Sequence, residues 1–115
     1  MYDLSQIHGF RYYHFLQPNQ YAPNTIPGTH KKGELVFDHA MDAGKKITLG
    51  YPVLRRLGKE MREAGVAFTD LTGIFDRLNG KPYHDSCCHM NALGNEIMGK
   101  RIGEIILQDI RKNPL

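Results

Sequence analysis

The sequence predicts an α/β protein, part of a doubly wound parallel sheet within a three-layer α/β/α domain. Two short segments, 10–16 and 66–71, are rich in β-branched and aromatic residues. Two amphipathic runs follow them, so the order reads strand, loop, helix, strand, loop, helix. That alternation is the pattern of a parallel sheet with crossover helices. Only two strands are visible. Two parallel strands alone leave open edges, whereas parallel sheets are normally covered on both faces. The chain is therefore expected to be the C-terminal part of a larger domain.

The elements follow in chain order. Residues 1–9 form a short segment closing on Gly9. The strand Phe10-Arg-Tyr-Tyr-His-Phe-Leu16 ends at Pro18, since proline cannot continue a central strand. Residues 17–47 read as a long surface loop with a short helix around 33–42, and a loop of this length is usually functional. Pro52 suits a first helical turn. Leu54, Leu57, Met61 and Ala64 then recur at steps of three and four, one face of a helix. Gly65 ends it. Val66–Leu71 is a buried-type strand, and Asn79, Gly80 and Pro82 mark turns. Asn91 is a strong N-cap. Leu93, Ile97, Met98, Ile102, Ile105, Ile106 and Ile110 then line one side of a helix running to about Lys112. This stripe reads as core packing and needs a full sheet to pack on.

Composition narrows the classes. The 115 residues are 41% hydrophobic and 23% charged, as in a globular domain. The net charge of +3 is spread over pairs such as Lys31-Lys32, Lys45-Lys46 and Arg55-Arg56. It lacks the clustering of a nucleic-acid footprint, so no nucleic-acid partner is expected. No apolar run approaches the ~18 residues that span a membrane. The N-terminal segment lacks the basic and apolar regions of a signal peptide. Cys87 and Cys88 are adjacent, and their Cα atoms are too close for an ordinary disulfide.

Chemistry concentrates between residues 76 and 90, in the loop after the second strand. Loops at the C-terminal ends of strands are where an α/β sheet carries its active residues. His84, Asp85 and His89 lie there. A carboxylate beside an imidazole is the orienting half of a hydrolytic triad. A metal site is the rival reading, because His84, Asp85, Cys87, Cys88 and His89 are all competent ligands. Adjacent cysteines do not match the spacing by which two thiolates grip one zinc, and no second ligand pair exists elsewhere. His8, His14, His30 and His39 have no companions at informative spacing. Asp70 reads as a turn cap after the strand.

The segment Asp85-Ser-Cys-Cys-His89-Met-Asn91-Ala-Leu-Gly94-Asn95, followed by an apolar helix, resembles the last sequence block of SGNH/GDSL-type hydrolases. Tyr13-His-Phe-Leu-Gln-Pro18, Gly50-Tyr51-Pro52 and Asp70-Leu71-Thr72 resemble the final third of the same family. The resemblance spans roughly residues 9–108 and is strongest over 66–107. It implies a flavodoxin-like sheet, with residues 1–115 forming an incomplete domain. It implies that His89 is a general base and Asp85 the acid that orients it. Asn91, Gly94 and Asn95 would be structural, as cap, tight contact and first turn. The implied reaction is acyl or acetyl ester hydrolysis through a Ser-His-Asp triad. The substrate would be an ester, or an O-acetylated carbohydrate or lipid. No cofactor is implied, and members of the family are often exported.

Two departures shape the expectation. The family leaves two residues between acid and base, whereas three separate Asp85 from His89, and Ser86 takes the usual acid position. Either the loop bulges to bring Asp85 into place or the acid is displaced. The Gly-Asp-Ser nucleophile block is also missing. The two serines are Ser5, with no strand before it, and Ser86, too near the base to reach across the ring. The chain alone is therefore expected to be inactive. The alternative is a noncatalytic remnant or interaction module. It would pair with another chain, such as a missing N-terminal half or a second copy, through its open sheet edge and apolar helix faces.

Overall fold

The structure, a computed structural model, describes residues 1–22, 38–85 and 88–114. Its elements are α1 (Tyr2–His8), β1 (Tyr13–Leu16), α2 (Asp38–Glu63), β2 (Ala67–Asp70) and α3 (Ala92–Lys112). They make a small three-layer α/β/α arrangement around a two-stranded parallel sheet. Tyr13 pairs with Ala67 and Leu16 with Asp70. Among the described residues no further strand joins, so both edges of the sheet are open.

Side chains alternate across the strands and sort the layers. His14 and Phe68 stack with ring centroids 5.7 Å apart on the α2 side. Arg55 reaches Asp70 from α2 on the same side, with Nε 3.2 Å from Oδ2. Tyr13 and Phe15 stack on the other side. There the Tyr13 hydroxyl donates to Asp109 of α3 at 2.6 Å. Arg11 also bonds Asp109 and the Asn113 carbonyl, tying the end of α3 to the start of β1.

Local chemistry explains where the elements stop. Gly9, at φ 69°, ends α1 in the left-handed conformation open to glycine. At the end of α2, Val66 N–H donates to the Met61 carbonyl and Gly65 N–H to the Arg62 carbonyl. Gly65 has φ 89°. This 6→1 and 5→2 pair closes the last carbonyls in a Schellman motif.

The long helix differs most from the sequence expectation. Residues 38–47, expected as loop or as part of a short helix, are helical, and Pro52 lies inside α2 rather than in its first turn. A mid-helix proline deprives one carbonyl of its donor. Nearby, Thr48 Oγ1 donates to the carbonyls of Gly44 and Tyr21, which ties this stretch to the chain after β1. The rest of the expected loop, residues 23–37, falls outside the described residues. Nor is the leucine face of α2 the one that meets the strands. Gly58 and Arg62 cover Phe68 instead.

Buried apolar side chains among the described residues include Pro18, Ala22, Val66, Phe68, Leu71, Phe75 and Pro82. Val66, Phe68 and Leu71 lie within β2 or directly beside it in sequence, and Phe75 lies in the turns that follow. Along α3, Ile97, Met98, Ile102, Ile105 and Ile106 are half-buried. Each large side chain yields about 1.5–3 kcal/mol only when fully buried. The α3 stripe therefore realises only part of its stabilising potential against this narrow sheet.

Candidate active site

The connection from β2 to α3 begins with a fixed turn. Asp70 Oδ1 accepts Thr72 N–H at 2.8 Å. Its other oxygen meets Arg55, whose guanidinium also donates to Thr72 Oγ1 at 2.6 Å. Asp70 thus caps the turn, as its sequence position indicates, and also anchors α2 to the C-terminal end of β2.

The chain then forms a narrow loop pinched at its base. Asn91 N–H donates to the Pro82 carbonyl at 3.0 Å, and His84 N–H to the His89 carbonyl at 2.8 Å. Tyr83 and Met90 form an antiparallel bridge between them. The start of α3 clamps this loop from below. Asn91 Oδ1 accepts Gly94 N–H at 3.0 Å as an N-cap, while its amide donates to the Lys81 carbonyl at 2.6 Å. A Cβ on Gly94 would lie 2.3 Å from the Pro82 carbonyl oxygen, so only glycine allows this approach. Asn95 donates to the Met90 carbonyl.

At the tip, Asp85 and His89 meet. Asp85 Oδ2 lies 2.5 Å from His89 Nδ1. Asp85 Oδ1 accepts the His89 backbone N–H at 3.2 Å. One carboxylate therefore fixes both the ring and the backbone that carries it. The His89 side chain is 73% exposed. Among the described residues none bonds its Nε2.

Three residues separate Asp85 from His89, and the carboxylate still reaches the ring. Cys88 adopts φ 119°, a left-handed conformation that favours glycine. Ser86 and Cys87 lie outside the described residues.

Beneath the loop is a partly buried phenolic cluster. Tyr83 packs edge-on against Phe75, with centroids 5.7 Å apart. Burial pushes the Tyr83 phenol well above its usual range, with smaller contributions from Tyr51 and Cys88. Burial also raises Tyr51, helped by Cys88 and opposed by Arg55. The Tyr51 hydroxyl donates to the Gln17 carbonyl at 2.9 Å, just past the end of β1. Tyr51 therefore ties α2 to the end of β1. Sequence reasoning passed over Tyr51 and Arg55. Their only signal was spacing, seven and three residues before the sheet-packed Gly58.

The remaining candidates are accounted for. Ser5 is buried within α1, and its hydroxyl donates to the Tyr2 carbonyl at 2.6 Å. His84 contributes a backbone bond to the loop. His14 bonds the Tyr12 hydroxyl through Nδ1. Among the described residues, no group of three or more His, Cys, Asp or Glu side chains gathers to hold a metal ion. Nor is any described helix long and apolar enough to cross a membrane.

Compared with known proteins, the chain matches no protein-family model, no curated protein and no solved structure.

Proposed function

We propose that this chain is the acid- and base-bearing C-terminal part of a serine ester hydrolase of the SGNH/GDSL type, built on a flavodoxin-like sheet. The nucleophile would come from a segment outside these 115 residues. The substrate class is an acyl or acetyl ester, including O-acetylated carbohydrate or lipid. The observation that supports this reading is the Asp85–His89 pair, 2.5 Å apart, on a ring that is largely exposed.

Asp85 would hold the ring with its proton on Nδ1, leaving Nε2 as the base. Nε2 takes the proton of an incoming serine hydroxyl as its oxygen attacks the ester carbonyl. It returns that proton to the leaving alkoxide, and the same base then activates water to cleave the acyl-enzyme. Oxyanion donors would arrive with the segment that carries the serine.

The test is complementation. The chain is co-expressed with an N-terminal segment of a GDSL esterase that ends before that protein's own final block. Activity on p-nitrophenyl acetate and labelling by a serine-directed phosphonate are then measured. The chain alone gives neither. The complex gives both, His89→Ala abolishes turnover, and Asp85→Asn lowers it by as much as ~10⁴-fold. Turnover by the complex that is indifferent to His89→Ala would sink the proposal.

A second reading, a noncatalytic interaction module, is supported by the open edges of the two-stranded sheet. It predicts stable complexes in which no variant at Asp85 or His89 changes any activity.

A further inference from the structure

The pinched loop sets a second imidazole beside His89. Tyr83 and Met90 are directly opposed in an antiparallel bridge. The next pair toward the tip is therefore His84 and His89, joined by the bond from the His84 N–H to the His89 carbonyl at 2.8 Å. Directly opposed residues of an antiparallel pair carry their side chains on one face, with Cβ atoms about 4.5–5.5 Å apart. Successive residues alternate, so Tyr83 and Met90 take the other face. That is the inner one, where Tyr83 meets the buried Phe75. His84 and His89 share the outer face, and both are exposed.

We propose that His84 and His89 together bind a divalent transition-metal ion of the zinc type, with Asp85 as the support behind His89. Asp85 Oδ2 lies 2.5 Å from Nδ1, which leaves Nε2 as the ligand atom of that ring. A carboxylate on the far nitrogen is what metal-ligating imidazoles use. It fixes the tautomer and the ring orientation and raises the basicity of the ligand. Among the described residues none bonds the His84 ring, so it can turn to meet the ion at the ~2.0–2.1 Å of a zinc–nitrogen bond. Imidazole donors suit zinc, copper and nickel, whereas magnesium and calcium take oxygen ligands. With Asp85 engaged on the ring, two protein ligands remain and solvent completes the shell. That makes a weak, exchangeable site, unlike the four-ligand sites of structural zinc. It is in keeping with the absence of a three-ligand cluster among the described residues. The inference does not rest on the ester-hydrolase reading, since binding is read without turnover. It adds a consequence for that reading: an ion on Nε2 occupies the lone pair that a base needs, so zinc and proton transfer exclude each other there.

Calorimetric titration of the full chain with zinc chloride at neutral pH tests it, and imidazole NMR locates the ion. Uptake of one zinc per chain is expected, with the ring signals of both His84 and His89 shifted. Magnesium chloride shifts neither. His84→Ala and His89→Ala each weaken binding roughly tenfold or more, and Asp85→Asn weakens it ~10–100-fold. The amide spectrum of each variant shows whether the Tyr83–Met90 bridge persists, which separates a lost ligand from a lost loop. Alkylating the cysteines leaves the affinity unchanged. A chain that takes up no zinc overturns the inference. So does binding that is indifferent to either histidine or to Asp85→Asn, that shifts only other histidines, or that alkylation abolishes.

Discussion

Gly58 lies flat against the ring of Phe68, so close that a Cβ on it would fall 2.1 Å from Cζ. The ring cannot retreat easily. It stacks on His14 on one side and lies under the Arg62 guanidinium at 5.7 Å. Gly58→Ala sets an overpacking cost of about 1–3 kcal/mol against a helix-propensity gain of about 1 kcal/mol. Because three ring atoms fall inside contact distance, the cost wins. Denaturant titration is expected to show a net loss, and an unchanged or raised midpoint would mean that α2 sits farther from the sheet.

Gly94 is the second close approach, and here the obstacle is backbone. Gly94→Ala drives a methyl onto the Pro82 carbonyl oxygen. The loop must lift from the start of α3, at a cost of up to about 3 kcal/mol. Asn91→Ala removes the cap and the bond to Lys81, at about 0.5–2 kcal/mol. Both variants are expected to loosen the Asp85–His89 pair. The deshielded Nδ1 proton of His89 in NMR spectra would broaden or vanish, and a sharp, unshifted signal would contradict the clamp.

Cys88 reports on the bend between acid and base. A non-glycine residue held at such a dihedral costs about 1–3 kcal/mol. Cys88→Gly relieves that strain but adds about 0.5–1 kcal/mol of unfolded-state entropy. The balance is neutral to stabilising, and thermal melts are expected to show Tm held or raised. Cys88→Val, branched at Cβ, lowers it. The opposite ranking would exclude the bend.

The Tyr13–Asp109 bond sets a pH window for the contact between α3 and β1. The Tyr13 hydroxyl, then Asn113 and Arg11, lower the Asp109 carboxyl from its ordinary 3.8. A lowered folded-state value gives stability present above 3.8 and lost as pH falls through the folded value. Tyr13 is raised from 10.0, chiefly by the bond to Asp109. Its contribution is present below 10.0 and lost as pH rises through the folded value. Thermal stability should therefore be flat through neutral pH and fall at both extremes. Asp109→Asn should flatten the acid limb, and an acid limb as steep as the parent's would remove Asp109 from this role.

Local signals were the ones readable in the chain. Asn91 announces α3 because its cap bond closes within three residues, and Gly65 ends α2 through a left-handed dihedral that glycine adopts freely, whereas the helix before Gly9 was read only as a short segment. β2 was legible as a short apolar run, and the order of elements gave the parallel pairing. The start of α2 was not legible. Gly50 and Pro52 carry the marks of a helix start, and local propensity does not reveal that a helix runs on through proline. The face of α2 was misleading because the leucines mark the strongest periodicity, whereas the strands take glycine, tyrosine and arginine. At the candidate site, the pairing of Asp85 with His89 was a spacing problem. The carboxylate reaches the ring across three intervening residues, and Cys88 among them takes a positive φ that no residue-type preference encodes.

The Asp85–His89 bond closes a ring of only five residues, and its supports at Pro82, Asn91 and Gly94 are nearly as near in sequence. Contacts of such short range form early, before pairings that must close long loops. The orientation of this imidazole is thus a local property, settled ahead of the sheet and carried with the first turn of α3. A carboxylate–imidazole pair held by contacts this local is portable: it needs no long-range pairing to keep its geometry.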